Sequence, residues 1–268
     1  MNAAFLQYAP FYLQVQANLD RVEALLQSTD ADLIVLPEFF ASGYFFKSKG
    51  DLAQVAEAVP GGPTTRRLVQ WAAATGAVFV AGLPERDGDR LYNSAVVVTP
   101  EGYLGTYRKI HLFYQETLYF EPGDLGFRVF DIAARDGTAY RLGVMVCFDW
   151  IFPESARSLA LQGADVIAHP ANLVLPHCPR AMPIRALENH VFTITANRYG
   201  QESNRGELLT FIGQSKICDP GGTTLLQASE DEDVVGIVEI DPTSARDRQI
   251  TKYNHLFDDR RVETYQAV

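Results

Sequence analysis

The chain has 268 residues, of which 47% are hydrophobic and 21% are charged, so it holds enough apolar material for a large core and is not generally disordered. It carries 23 Lys and Arg against 33 Asp and Glu, which gives a net charge of −10. This acidic balance argues against nucleic acid as a partner, because such binding depends on clustered Lys and Arg.

Short apolar runs, several of them rich in β-branched residues, predict strands along the whole chain. In chain order, the predicted strands are Ala3–Tyr8, Leu33–Pro37, Val78–Leu83, Ala95–Thr99, Tyr103–Tyr107, Leu142–Cys147, Asp165–His169, Val191–Ala196, Leu208–Phe211, Thr223–Leu226 and Val234–Ile240.

Segments with apolar residues on one helical face predict helices between these strands. Asn18 is the expected N-cap of the first helix, and Pro153 lies near the first position of the third, where its missing N–H costs nothing. The predicted helices are Asn18–Gln27, Thr64–Thr75, Pro153–Leu161 and Pro183–His190.

The alternation of strands and helices predicts an α/β fold in which helices cover a mixed sheet. Turn signals such as PGGP at 60–63 and DPGG at 219–222 are too short to be interdomain linkers. We therefore expect a single domain over residues 1–268, with two small domains as the alternative that this length allows.

The three cysteines are an odd number and too few for a disulfide scaffold, which favours a reducing, cytoplasmic location. The first ten residues lack the features of a secretory signal, and no run approaches the ~20 apolar residues of a membrane helix. We expect no membrane partner, and a thiol with a role would act as a nucleophile.

Several common site motifs are missing from the sequence. It has no G-x-G-x-x-G or G-x-x-x-x-G-K-[ST] loop for nucleotides and no G-x-S-x-G nucleophile elbow. The five His residues include no i, i+4 pair, and His177 beside Cys178 is only a weak candidate for two metal ligands. We therefore expect no metal site.

Cys147 ends an apolar run, and the residues after it turn into a predicted helix. A thiol at the carboxyl end of a strand and near a helix N-terminus lies where α/β sheets bind ligands and where the helix dipole lowers a thiol pKa. Position alone leaves a buried core cysteine as an equal alternative.

Glu38 and Lys109 also follow predicted strands. Glu38 lies between Pro37 and Phe39, where partial desolvation would raise its pKa and suit a general base. Lys109 precedes an aromatic loop that contains Glu116, and its ammonium could stabilise an oxyanion. Solvated charges are the alternative for these residues, and Cys–His catalysis is the alternative chemistry, although no His has an equally clear position.

Three segments that carry these residues resemble the signature segments of the nitrilase superfamily, which are carbon–nitrogen hydrolases with a Glu–Lys–Cys triad. They are Leu36–Phe40 (LPEFF), Tyr107–His111 (YRKIH) and Cys147–Glu154 (CFDWIFPE). Shorter segments extend the resemblance over almost the whole chain. These are Tyr92–Ala95 (YNSA), Pro122–Asp124 (PGD), Pro170–Asn172 (PAN), Arg185–Asn189 (RALEN) and Ala196–Arg198 (ANR).

The resemblance implies a four-layer α-β-β-α sandwich that assembles as a homodimer or a larger homo-oligomer. Carried over residue by residue, it makes Cys147 the nucleophile, Glu38 the general base and Lys109 the group that stabilises the tetrahedral intermediate. The backbone N–H of Phe148 would complete the oxyanion hole, and Glu116 would position the substrate and attacking groups. The resemblance implies no metal and no organic cofactor.

The resemblance also suggests a substrate. Many nitrilases have Cys-Trp-Glu where this chain has Cys147-Phe148-Asp149, yet the Cys-Phe-Asp-Trp run and the loop from Phe113 to Asp124 resemble compact archaeal-type nitrilases that act on short aliphatic nitriles. We expect conversion of such a nitrile, with water, to its carboxylic acid and ammonia through a Cys thioester. The alternatives are an amidase or N-carbamoyl amide hydrolase with the same site, a non-hydrolytic acyl-transfer or binding protein, and an interaction subunit.

We expect a small, largely apolar pocket with mostly aromatic walls, in which Asn172 is the polar exception. The expected walls are Tyr44, Phe113, Tyr114, Tyr119, Trp150, Asn172 and Leu173. Cys178 and Cys218 are expected to be structural thiols without a catalytic role.

Overall fold

The computed structural model describes residues 1–265 of the chain. The first of its two large sheets has six strands. The sheet order is β14-β1-β2-β3-β4-β5, in which β1, β2 and β3 are parallel and the other neighbours are antiparallel. The strands are β1 (Asn2–Gln7), β2 (Leu33–Val35), β3 (Val78–Asp87), β4 (Arg90–Thr99), β5 (Gly102–Arg108) and β14 (Val234–Glu239).

The second sheet also has six strands, in the order β13-β12-β9-β8-β7-β6, and its centre β7-β8-β9 is parallel. Its strands are β6 (Val129–Ala133), β7 (Ala139–Val144), β8 (Val166–Pro170), β9 (Phe192–Ala196), β12 (Lys216–Cys218) and β13 (Thr224–Gln227). Two ribbons lie outside both sheets, formed by β10 (Tyr199–Asn204) with β11 (Glu207–Ile212) and by β15 (Gln249–Thr251) with β16 (Asn254–His255).

Five helices lie within residues 1–265. They are α1 (Val15–Leu26), α2 (Lys49–Val55), α3 (Pro63–Thr75), α4 (Pro153–Leu161) and α5 (Cys178–Asn189). Helices α1, α3, α4 and α5 cover the outer faces of the two sheets, whereas α2 packs with the aromatic side chains that follow β2. Short 3₁₀ turns occur at Tyr114–Leu118, Cys147–Ile151, Pro242–Arg246 and Val262–Thr264. No helix within residues 1–265 has the length and apolarity that crossing a membrane requires.

The alternating side chains of the first sheet separate two hydrophobic cores. Phe5 and Val80 point to one face and pack with the second sheet, whereas Leu6 and Phe79 point to the other face and pack with α1 and α3. The core between the sheets continues into α4 and α5 on the far side. These four layers confirm the predicted α-β-β-α sandwich.

Two predicted helix starts are wrong. Helix α1 begins at Val15, and Asn18 is buried within it instead of capping it. The Asn18 side-chain oxygen accepts a hydrogen bond from Phe11 N–H, and its NH₂ group donates to the Ala41 carbonyl. Helix α5 begins at Cys178 and contains Pro183. Proline leaves the carbonyl four residues earlier without its helical donor, and here the Lys216 ammonium donates to that Pro179 carbonyl over 2.7 Å.

Helix α2 and strands β6, β10, β12, β15 and β16 were not predicted from the sequence. Helix α2 is short and polar in its first turn, so its periodicity is weak, and the Ser48 hydroxyl caps it by accepting from Asp51 N–H. Strand β10 has few apolar residues, because it pairs only with β11 in a ribbon outside the two large sheets.

The turn after β2 lies directly against β3 at Gly82. Gly82 N–H donates to the Pro37 carbonyl and its own carbonyl accepts from Phe40 N–H, both over 3.2 Å. A Cβ at this glycine would lie 2.5 Å from Glu38 Cα and 2.9 Å from Phe39 N. Only glycine therefore allows this approach, which fixes the backbone at Glu38.

We expect Gly82→Ala to lower the free energy of unfolding by about 1–3 kcal/mol, because the backbone must shift to accept the methyl group. Gly61→Ala is the control, since a Cβ there meets nothing within 4 Å. Urea unfolding would show a stability change within about 0.5 kcal/mol for this control. Equal stabilities of the two variants would contradict the close contact at Gly82.

Candidate active site

Glu38 and Lys109 both reach the interior from the ends of strands of the first sheet. Glu38 follows β2, and the backbone there turns sharply because Phe39 has a φ of +50°. Lys109 follows β5, where its N–H donates to the Asn93 carbonyl and its carbonyl accepts from Gly123 N–H. Both side chains are fully buried.

Glu116 lies in the 3₁₀ turn after β5 and points back toward the same place. Its carboxylate accepts from Phe113 N–H over 3.2 Å and from the Tyr44 hydroxyl over 2.6 Å. The Lys109 ammonium donates to Glu116 Oε1 and to Glu38 Oε1, each over 2.8 Å. One buried ammonium therefore lies between two carboxylates.

Asn93 of β4 completes this cluster, although it was not among the predicted site residues. Its side-chain amide donates to Glu38 Oε1 over 2.7 Å and reaches Glu116 Oε2 at 3.4 Å. A fully buried amide needs polar partners. The sequence signal for Asn93 was therefore a single polar amide beside the apolar run of a predicted strand.

Cys147 approaches the cluster from the second sheet. It follows β7 and begins the 3₁₀ turn Cys147–Ile151, with a φ of +42° that is strained for a residue other than glycine. His169 of β8, also absent from the predictions, donates from Nε2 to the Cys147 carbonyl over 2.9 Å. Burial lowers the pKa of His169 to about 4, so this imidazole is neutral and holds the strained backbone by a hydrogen bond.

The buried charges change each other's protonation. Burial raises the pKa of Glu38 to about 7, an effect that Lys109 opposes and Glu116 strengthens. Burial by itself lowers the pKa of Lys109, but Glu116 and Glu38 raise it above its ordinary value. Burial also raises the pKa of the Cys147 thiol well above its usual value, Glu38 adds to this rise, and Lys109 opposes it. At neutral pH, the site therefore holds an ammonium, a thiol and a carboxyl close to its own pKa.

A narrow pocket opens beside Cys147, with about 20 Å³ of free volume, little more than one water molecule needs. Four of the seven expected wall residues line it, Phe113, Trp150, Asn172 and Leu173, together with Phe148, whose N–H is the expected second oxyanion donor. The other lining residues are Cys147, Val174 and Leu175.

Three of the expected wall residues lie elsewhere. Tyr44 is buried behind Glu116, and Tyr114 is half exposed and donates its hydroxyl to Glu207. Tyr119 lines a separate surface groove beside Phe120. The pocket wall is thus formed by the segments around Phe113, Phe148 and Leu173, and the two loop tyrosines lie outside it.

The other two cysteines are buried and unpaired, Cys178 at the start of α5 and Cys218 in β12. Within the described range 1–265, no group of three or more His, Cys, Asp or Glu side chains is arranged to hold a metal ion.

The family model described as "Carbon-nitrogen hydrolase" matches residues 2–249. The chain belongs to the carbon–nitrogen hydrolase family. Its similarity to known nitrilases and amidases agrees with this assignment and confirms the resemblance to the nitrilase superfamily.

Two curated relatives of this carbon–nitrogen hydrolase cover nearly its whole length. A "Nitrilase" of Pyrococcus abyssi is 52% identical over 99% of this chain and 99% of its own. An "N-carbamoylputrescine amidase" of Solanum lycopersicum is 31% identical over 95% of this chain and 90% of its own.

A solved structure of a mutant of the amidase from Nesterenkonia sp. AN1 shows covalent addition of the acetamide moiety of fluoroacetamide at the active site cysteine. It superposes with a TM-score of 0.80 at 26% identity and covers 98% of this chain and 94% of that chain. The fold of the present hydrolase is therefore that of nitrilase-superfamily enzymes.

We expect Lys109→Met to destabilise the protein by about 3–5 kcal/mol at neutral pH, because it leaves two buried carboxylates without their cation. Losing the ammonium raises the pKa of Glu38 further. A carboxyl with a raised folded pKa makes stability fall as pH rises from about 4.3, the unfolded value, to the folded value.

Urea unfolding should therefore give a smaller deficit for Lys109→Met at about pH 5 than at about pH 8. The control is Lys216→Met, which removes another buried ammonium, but one that donates to the Pro179 carbonyl. Its deficit should not change with pH over this range. A pH-independent deficit in Lys109→Met would contradict the charge cluster.

Proposed function

We propose that this carbon–nitrogen hydrolase converts a small aliphatic nitrile to its carboxylic acid and ammonia, with Cys147 as nucleophile, Glu38 as general base and Lys109 as electrostatic stabiliser. The observation that carries the proposal is the buried Lys109 ammonium, 2.8 Å from both Glu38 and Glu116 and close enough to the Cys147 thiol to oppose the rise of its pKa.

The first step is attack by sulfur on the substrate carbon. Because the Cys147 pKa is raised, the thiol keeps its proton until the substrate is bound. Glu38, with a pKa of about 7, accepts that proton as the C–S bond forms, since a base that titrates near the working pH is the most effective. Glu38 Oε2 is buried without a protein partner among the described residues and is free to take it.

Negative charge then develops on the substrate nitrogen, or on oxygen in the case of an amide. Lys109 is fixed in a site without bulk water, where a preorganised cation stabilises such charge strongly. We assign the backbone N–H of Phe148 as the second donor to this atom. Glu116 fixes Lys109 from the opposite side and positions the attacking groups.

The remaining steps consume two water molecules for each nitrile. Protonation of the nitrile nitrogen by the Glu38 carboxylic acid gives a thioimidate on Cys147. A first water adds, ammonia leaves, and a thioester remains. Glu38 then takes a proton from a second water, whose oxygen attacks the thioester carbonyl. The carboxylic acid leaves and the thiol is restored, so Glu38 and Cys147 end in their starting states.

The pocket and the relatives support a small, uncharged substrate. The lining of the pocket is apolar except for Asn172 and the Cys147 thiol, and it includes no acidic or basic side chain that could pair with a charged substrate. The 52% identity to a nitrilase favours a nitrile.

An amide is the second candidate substrate, because the solved neighbour from Nesterenkonia sp. AN1 that shares this fold is an amidase. An N-carbamoyl diamine has less support, since the ammonium of its second, free amine would find no counter-charge in the pocket lining. A non-hydrolytic acyl-transfer or binding protein would need no base to activate water, yet Glu38 is held fully buried in position for this role.

We also propose that residues 1–268 form one domain and that the enzyme acts in the cytoplasm as a homodimer. The core that joins both sheets and two helices supports a single domain. Half-exposed apolar side chains on α4, α5 and the turn before α4 support self-association. They are Ile151, Leu161, Ile184 and Leu187.

Ammonia release tests the proposed reaction. We expect release from acetonitrile, propionitrile or butyronitrile at a higher kcat/KM than from the corresponding amides. Cys147→Ala should abolish release from all of them, whereas Cys218→Ala, which also removes a buried thiol, should keep turnover near that of the unsubstituted enzyme.

A rapid-quench mass spectrum of the enzyme with substrate should show an acyl adduct on Cys147. Release from amides alone would select the amidase reaction. The absence of both ammonia and adduct would contradict hydrolysis altogether.

A further inference from the structure

Asp149 is a fully buried carboxylate two residues after Cys147, and the reaction described above does not use it. It accepts four hydrogen bonds from protein donors. Oδ2 accepts from Val146 N–H over 2.8 Å and from the Tyr107 hydroxyl over 2.7 Å. Oδ1 accepts from the His111 N–H over 3.2 Å and from His111 Nδ1 over 2.8 Å.

These donors come from the two segments that carry the active groups. Val146 directly precedes Cys147 in the second sheet, whereas Tyr107 and His111 lie two residues before and two residues after Lys109 in the first. Asp149 therefore ties the backbone of the Cys147 turn to both sides of Lys109. Lys109 and Cys147 lie on different sheets, so their separation depends on contacts of this kind.

Stacking fixes the two side-chain donors before they meet Asp149. The Tyr107 ring stacks on Phe127, with centroids 5.7 Å apart and an interplanar angle of 16°. The His111 ring stacks on Phe152, with centroids 3.8 Å apart and an angle of 17°. Because both rings are held by stacking, neither can move freely with a displaced carboxylate. The positions of the Tyr107 and His111 donors therefore fix the position of the Asp149 carboxylate.

The chemistry of the four donors requires a carboxylate. An ionised Asp only accepts hydrogen bonds and offers about four lone-pair sites, whereas Asn has one accepting oxygen and an NH₂ group that donates. In Asp149→Asn, the NH₂ group would face two of the donors, and those contacts would become repulsive. The four hydrogen bonds of Asp149 form a bridge between Val146 on one side and Tyr107 and His111 on the other. The substitution keeps the shape of the side chain but breaks this bridge on one side.

We propose that Asp149 is a positioning residue that sets the placement of the Cys147 thiol relative to Lys109. The proposal rests on the proposed function of these two groups. Displacing a reacting group by about 1 Å can cost on the order of 10²-fold in rate, so the loss of this bridge acts on catalysis beyond its effect on folding.

The control for Asp149→Asn is Asp165→Asn. Asp165 is also a buried carboxylate, and it accepts from Arg141 N–H and from the Arg246 guanidinium, each over 3.0 Å, at the start of β8 and thus at the opposite end of that strand from His169. We expect both variants to lower the thermal midpoint, but only Asp149→Asn to reduce kcat/KM for ammonia release, by about 10²-fold. Asp165→Asn should stay within about threefold of the unsubstituted enzyme, as expected of a residue outside the site.

Alkylation of Cys147 by iodoacetamide, followed by peptide mass spectrometry, provides a second readout that does not need turnover. Removing a negative charge near a thiol favours the thiolate and by itself speeds alkylation. A slower alkylation of Asp149→Asn therefore reports displacement rather than charge. An unchanged or faster rate than in Asp165→Asn would overturn the proposal.

Tyr107→Phe removes a single donor to Asp149 and keeps the test open if Asp149→Asn does not fold. We expect it to reduce both kcat/KM and the alkylation rate, and its effect should not add to that of Asp149→Asn, because both break one bridge. Full additivity, or a Tyr107→Phe variant as active as the unsubstituted enzyme, would overturn the proposal. If the unsubstituted enzyme releases no ammonia, the proposed function fails, while the alkylation rates still decide the role of Asp149.

Discussion

A single ammonium group, the Lys109 side chain between Glu38 and Glu116, determines how the centre of this molecule is organised. Burying three charges in an apolar interior is costly unless each is paired and hydrogen-bonded, and here the two carboxylates pair with the cation while Asn93 and Tyr44 donate further hydrogen bonds. The same pairing keeps Lys109 charged, while burial raises the pKa of Glu38 to about 7 against the opposing effect of the ammonium, so the site has a fixed cation and a base that titrates near physiological pH.

The sandwich brings this cluster to the thiol. Glu38 and Lys109 follow strands of the first sheet, and Cys147 follows a strand of the second, so the interface between the sheets is also where the reacting groups meet. The Asn172 amide, which follows β8, donates to the Glu38 carbonyl over 2.9 Å and so joins the two sheets, while His169 fixes the Cys147 carbonyl within the second sheet. The packing that holds the two sheets together therefore also sets the distances between the reacting groups.

Most of the framework was predictable, because the apolar runs that build both sheets end at Glu38, Lys109 and Cys147. What escaped prediction depends on contacts that are distant in the sequence. Helix α5 continues through Pro183 because the ammonium of Lys216, in strand β12, donates to the Pro179 carbonyl in place of the N–H that proline lacks. The contacts of Asn93 could not be inferred from the local sequence pattern either, because its partners Glu38 and Glu116 lie far from it in the sequence.

The most direct test of the account is the dependence of kcat/KM on pH, which reports the essential groups of the free enzyme. If Glu38 accepts the proton from Cys147, then kcat/KM rises with pH through about 7, where Glu38 ionises. In Glu38→Gln, this rise should disappear and kcat/KM should fall by about 10²-fold or more. A Glu38→Gln variant that kept the same rise and most of its activity would contradict the account.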